Sequence, residues 1–136
     1  SFPDVNLANQ SAYTVSGTCE AGSGQVLVLL SLGPAFITPF ETCTAGGTWS
    51  STFDLSSLSD TSPGFMISIG ARQTDAGGNI GTAIPVEVDK DTVKPNVQIQ
   101  NVPAFVNTSE FNISIVFDED VTNFDSADIT VTNGAV

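Results

Sequence analysis

The chain has no histidine, three lysine and arginine residues in total, two cysteines and one tryptophan. Each scarcity removes a class of function. Without histidine, nucleophilic centres built on a Ser-His-Asp or Cys-His pair lack their base, and histidine-ligated zinc sites lack their ligand. Three basic residues against 15 acids leave a net charge of -12. Such a chain cannot neutralise phosphates, so nucleic acid is not expected as a partner. An anionic membrane surface would repel it as well. No segment reaches the ~20 apolar residues that cross a bilayer, and Val26 to Leu30 is only strand-length. Direct membrane insertion is therefore not expected. The chain begins at Ser1 without a visible signal peptide, as a mature or excised fragment would.

What is present narrows the class further. Hydrophobic residues make up 40% and charged residues 13% of 136 positions. Mean hydropathy is +0.17, too apolar for a disordered acidic tail. The polar remainder is mostly Ser, Thr, Asn and Gly, and the helix formers Glu, Lys and Arg are few. This is the composition of an all-β secreted protein. Its length fits one domain, or one small domain and part of a second. The acids serve solubility or collect hard cations such as Ca²⁺.

Cys19 and Cys43 lack the spacing and the companion ligands of a redox or metal pair. As a disulfide between neighbouring strands they would close a loop of about 25 residues, which the chain-entropy view values at roughly 3 kcal/mol. That bond would place the chain in an oxidising compartment.

Period-two alternation and turn residues divide the first ~90 residues into about seven short strands, the spacing of a β-sandwich. Asp4–Ala8 comes first. Tyr13, Val15, Gly17 and Cys19 then share one face. Gln25–Leu32 reads as buried on both faces. Phe36–Thr44 carries Pro39, a mark of an edge or bulge. Ala45-Gly46-Gly47 turns the chain into Thr48–Phe53. Asp54–Pro63 is a loop with a helical turn at Leu55–Leu58. Phe65, Ile67, Ile69 and Ala71 point inward from the next strand. Asp75–Asn79 is a tight loop, and Ile80–Val88 returns. Trp49 is expected in the core rather than as a sugar platform; the phenylalanines, mostly at alternating positions, also read as core, with an exposed patch at Phe36 and Phe40 beside Pro39 as the alternative.

The polar stretch from Asp89 to Pro95 marks a boundary. Three units follow from it: a domain at 1–91, a linker at 92–95 and a second unit at 96–136. The second unit shows strands around Val97–Val102, Phe111–Phe117 and Ile129–Gly134. Three strands leave sheet edges unpaired, so this unit reads as the N-terminal half of a truncated domain. Its apolar face is expected to be covered by self-association through residues 96–136.

Taken in order, Tyr13-Thr-Val-Ser-Gly-Thr-Cys19, Cys43-Thr-Ala-Gly-Gly-Thr-Trp49, Asp54-Leu-Ser-Ser-Leu58, Gln73-Thr-Asp-Ala-Gly-Gly-Asn79 and Asp91-Thr92 resemble bacterial Ig-like repeats of large cell-surface and repeats-in-toxin adhesins. Val116–Phe124 and Asp128–Gly134 resemble a second repeat type of that kind. The resemblance implies an Ig-like Greek-key sandwich followed by an incomplete second one. It also implies a secreted, cell-surface, non-enzymatic spacer whose partners are the neighbouring repeats of the same polypeptide. A glycan- or host-protein-binding module, or an accessory domain of a polysaccharide-degrading enzyme, is the alternative.

The resemblance further implies a calcium site, since many related stalks bind Ca²⁺ at interdomain linkers. Asp89 and Asp91, joined by Asp75 and Asn79 from one side and Asp118, Glu119 and Asp120 from the other, are the candidate ligands, since Ca²⁺ takes six to eight oxygens. The competing reading is a solvated acidic linker, with Asp75 and Asn79 merely shaping their hairpin and Lys90 and Lys94 neutralising the carboxylates.

Overall fold

The computed structural model describes residues 1–61 and 65–132. The chain divides into two units, Ser1–Thr92 and Val93–Val136. Both are built on open sheets of β-strands, and helix is confined to short 3-10 turns. Pro63 and the expected turn at Asn133–Gly134 lie outside the described residues.

The first unit contains β1 (Val5–Asn6), β2 (Tyr13–Thr18), β3 (Val26–Leu32), β4 (Ala35–Ile37), β5 (Phe40–Glu41), β6 (Thr48–Phe53), β7 (Ile67–Thr74), β8 (Ile80–Thr82), β9 (Val86–Val88) and β10 (Lys90–Asp91). β2 and β6 form one antiparallel ribbon. In the second sheet β3 and β7 lie side by side. β4 and β5 share the outer edge of β3, and β8 and β9 share the outer edge of β7. β1 pairs in parallel with β10.

Alternation explains the layering. Tyr13, Val15, Trp49 and Phe53 bury one face of the ribbon, and Val26, Val28, Leu30, Ile67 and Ile69 bury one face of the larger sheet. These side chains belong to a single cluster, with Val5, Leu55 and Val88 closing its end. Each such side chain contributes about 1.5–3 kcal/mol by leaving water.

Trp49 sets a local requirement. It stands opposite Gly17 across the β2–β6 pair. A Cβ at Gly17 would lie 2.8 Å from the indole Nε1, so only glycine lets the ring lie across that strand. Gly47, at φ 73°, supplies the left-handed residue of the turn into β6.

Several strands differ from their expected extents. Phe36–Thr44 breaks into β4 and β5 around Pro39, which has no amide to donate. Ile80–Val88 breaks into β8 and β9, with Pro85 in the gap. β3 is buried on one face only, since Leu27 and Leu29 are half-exposed on the other. Phe65 points out to solvent rather than inward, because β7 begins at Ile67. Asp4–Ala8 shrinks to Val5–Asn6, for Asn6 and Asn9 fold the rest into side-chain-capped turns.

The second unit pairs β11 (Val97–Gln100) with β12 (Ser114–Phe117) antiparallel. Asn96 and Asp118 close the end of that ladder. The rings of Phe117 and Phe124 meet edge to face at 5.0 Å. The described part of the expected strand at Ile129–Gly134 is not paired; Asp125 instead caps a 3-10 turn at Ser126–Asp128 through a reciprocal capping box. The alternation of Phe111–Phe117 yields a strand only from Ser114. Val97, Ile99 and Phe111 remain largely exposed.

Cys19 and Cys43 form a disulfide with Cα atoms 5.9 Å apart. It ties the end of β2 to the crossover from β5 to β6, and Cys19 packs against the core. Replacing both cysteines with serine should lower unfolding free energy by about 3 kcal/mol in chemical denaturation. A loss below about 1 kcal/mol would mean that the loop is already constrained without the bond. Gly17→Ala should cost about 1–3 kcal/mol by displacing Trp49, seen as a shift in tryptophan emission together with the lower midpoint.

Candidate functional site

The densest polar network of the first unit surrounds Lys90. Val86, Val88 and Lys90 continue one inward alternation, so β10 delivers a lysine to the core boundary where the pattern would place a valine. Lys90 is 2% exposed. Its Nζ donates to the Leu58 carbonyl at 2.7 Å and to Asp60 Oδ1 at 3.3 Å. Asp60 also accepts from the Thr92 amide at 3.1 Å and from the Thr92 hydroxyl. Thr61 completes the stitch: its amide donates to the Lys90 carbonyl, and its hydroxyl accepts from the Lys90 amide. A buried ammonium is tolerable only with such partners.

The same strand holds the N-terminal segment. Val5 donates to the Asp89 carbonyl at 2.8 Å, and the Asp89 amide donates to Asp4 Oδ1 at 3.1 Å. Tyr13 donates its hydroxyl to the Pro3 carbonyl. Desolvation, with a smaller contribution from the charge of Asp4, pushes the Tyr13 phenol up from its ordinary value.

The expected calcium ligands are distributed as follows. Asp75 and Asn79 come together, but on each other: the Asn79 amide donates to Asp75 Oδ1 and its side chain to Asp75 Oδ2, both at 2.8 Å. The bonds from Asn79 hold the Asp75 carboxyl below its usual range. Asp89 Oδ1 lies 3.2 Å from the Thr61 hydroxyl. Asp91 sits on β10 beside Asn6. Asp118 belongs to the other unit, where its Oδ1 accepts from the Asn96 amide at 2.7 Å. Glu119 and Asp120 follow it. Among the described residues no three acids, histidines or cysteines converge as a metal cage. Asn79 donates to both carboxylate oxygens of Asp75, which closes the hairpin between β7 and β8. Among the described residues the Lys90 ammonium pairs with Asp60.

Two surface features complete the inventory. Phe36 and Phe40 are 69% and 62% exposed. They stand opposite Ser31 and Leu27 of β3, on the outer face of the larger sheet. Trp49 is not a surface platform, being 7% exposed.

The sequence reading missed the Lys90 network. The signal was present in the alternation of Val86, Val88 and Lys90. The charge of Lys90, set among aspartates, made the stretch look like a solvated linker. Asp60 and Thr61, some 30 positions earlier, carry no local mark of their role.

Compared with protein-family models, curated proteins and solved structures, the chain matches none.

Two outcomes test this geometry. Burial opposes the charge of Asp60, yet hydrogen bonds from Thr92 and Lys90 and the lysine charge outweigh it, so its carboxyl lies below the ordinary value of 3.8. A lowered folded pKa means stability that is full above the unfolded value and lost as pH falls through the folded one. Asp60→Asn should therefore lower the melting midpoint at pH 7, with the gap to wild type narrowing as pH drops below about 4. A gap independent of pH would remove the carboxylate from the network. Asp75→Ala should lower the midpoint by a few degrees equally in EDTA and in excess Ca²⁺; a loss seen only with Ca²⁺ would return Asp75 to a metal.

Proposed function

We propose that the chain is a non-catalytic repeat module of a bacterial cell-surface stalk. In this reading the Ser1–Thr92 unit is an Ig-like Greek-key sandwich, joined to further repeats of the same polypeptide and acting as a load-bearing spacer. The observation that carries it is the parallel pairing of β1 with β10. These strands are the first and last of their unit. A pull applied through the flanking chain draws parallel neighbours in opposite directions along their length. Their hydrogen bonds then share the load in shear instead of opening one at a time. Lys90, locked from behind by Leu58 and Asp60, keeps β10 from peeling away. The disulfide limits how far the chain extends should the core open. Stiffness comes from this network of protein groups and does not require calcium at Asp75 and Asn79.

The exposure of Phe36 and Phe40 supports a second reading, a module that binds a glycan or a host protein through the outer face of β3, β4 and β5. Loss of glycan-array retention in a Phe36→Ser, Phe40→Ser double variant would favour it over the spacer.

Single-molecule pulling separates the spacer reading from an ordinary folded domain. Val5→Pro deletes the amide that bonds Asp89 and should lower the unfolding force of the Ser1–Thr92 unit markedly, while circular dichroism shows the fold retained. An unchanged unfolding force would sink the mechanical role of β1.

A further inference from the structure

The larger sheet buries one face against the core, and register fixes what the other face carries. On β3, Leu27, Leu29 and Ser31 alternate with the buried Val26, Val28 and Leu30 and so point outward. On β7 their cross-strand partners are Arg72, Gly70 and Ser68. One outer edge places Phe40 beside Leu27 and Phe36 beside Ser31. The other edge places Glu87 beside Ser68.

Leu29 and Gly70 form the middle row of this face. A two-fold axis laid along that row, across the strands, exchanges the two ends. It brings Phe36 onto Phe40. It also brings Arg72 onto Ser68, with Glu87 one strand aside, a step of about 4.8 Å that an arginine side chain spans. Among the paired outward positions of the described sheet, Arg72 and Glu87 are the charged ones. Both are exposed, and neither has an ion-pair partner among the described residues. The face is therefore neutral in a chain of net charge -12. That net charge drives two copies apart in general, whereas this face offers a base at one end and an acid at the other.

We propose that this face binds a second copy of the chain, in an isologous dimer about that axis. Phe36 packs on Phe40 of the partner subunit, Arg72 pairs with Glu87 of the partner subunit, and each contact is made twice. Gly70, with no side chain, leaves room for the leucines that meet on the axis. Sheets packed face to face keep their strands within about 30° of each other, which holds the rows in register. The occupant is a second copy because the face is complementary to itself, in charge and in its aromatic pair, under one rotation. A two-fold interface requires that property; a site for an unrelated partner does not. The face covers about four strands by five residues, at the low end of specific interfaces, so the dimer is a weak one. This assignment does not rest on the spacer reading. It gives to a second copy the face that the second reading gives to a glycan or host protein.

Sedimentation equilibrium of the intact chain should show a reversible monomer–dimer equilibrium between roughly 10 µM and 1 mM, the range for a small interface. Arg72→Glu sets acid against acid across the axis, and Glu87→Arg sets base against base. Each variant alone should associate at least about tenfold more weakly than the wild type. An equimolar mixture of the two variants should regain association, because acid and base again face each other at both contacts. Recovery on mixing cannot come from repair of folding, since neither chain has changed. A wild type that stays monomeric throughout overturns the proposal. So does association that neither variant weakens, which would place it on another surface. Variants that remain monomeric when mixed also overturn it, by showing that the two residues do not meet.

Discussion

The first unit depends on one buried charge. Lys90 lies at the end of an inward-facing row begun by Val86 and Val88, and its ammonium must find acceptors or destabilise the strand that carries it. Leu58 and Asp60 provide them. To do so the segment after β6 must fold back, with Leu55 buried, the turn closed by the Leu58 amide on the Leu55 carbonyl, and Thr61 on the Lys90 backbone. Once β10 is pinned, its outer edge is available to Val5. The N-terminal segment can then close the end of the core.

This arrangement has a definite energetic character. An apolar residue at position 90 would avoid the desolvation of an ammonium and could yield equal or greater stability. What the lysine adds is a demand on the 54–61 segment, which must bring the Leu58 carbonyl and the Asp60 carboxylate to it. Asp60 remains 29% exposed at its side chain, so water shares in the solvation of the pair. The disulfide works on a different region and a different state. It restrains the unfolded chain between residues 19 and 43, far in sequence from the closure at β10.

The all-β character was legible from alternation and turn chemistry. The disulfide was legible from the failure of other readings of two cysteines, and the burial of Trp49 from its place in an alternating run. What escaped were features set by distant partners. Pro39 was legible as an edge or bulge mark, but Pro85 also divides a strand whose apolar pattern runs on through it. Leu27 and Leu29 look like core by hydrophobicity, yet they stay half-buried on the outer face of β3. Asp75 and Asn79 have the composition of metal ligands, and the bonds by which they clasp their hairpin depend on backbone geometry that residue types alone do not show. Lys90 looked like linker because charge outweighed periodicity in a stretch of aspartates.

Amide hydrogen exchange at Val5 tests the central claim most directly. Its N–H is committed to the Asp89 carbonyl. If the Lys90 network makes β1 and β10 part of the cooperative core, the Val5 amide should exchange only through global unfolding, with protection equal to that of β3 and β7 and lost together with theirs in denaturant. Exchange at Val5 on the timescale of a fraying terminus, while β3 and β7 stay protected, would contradict it.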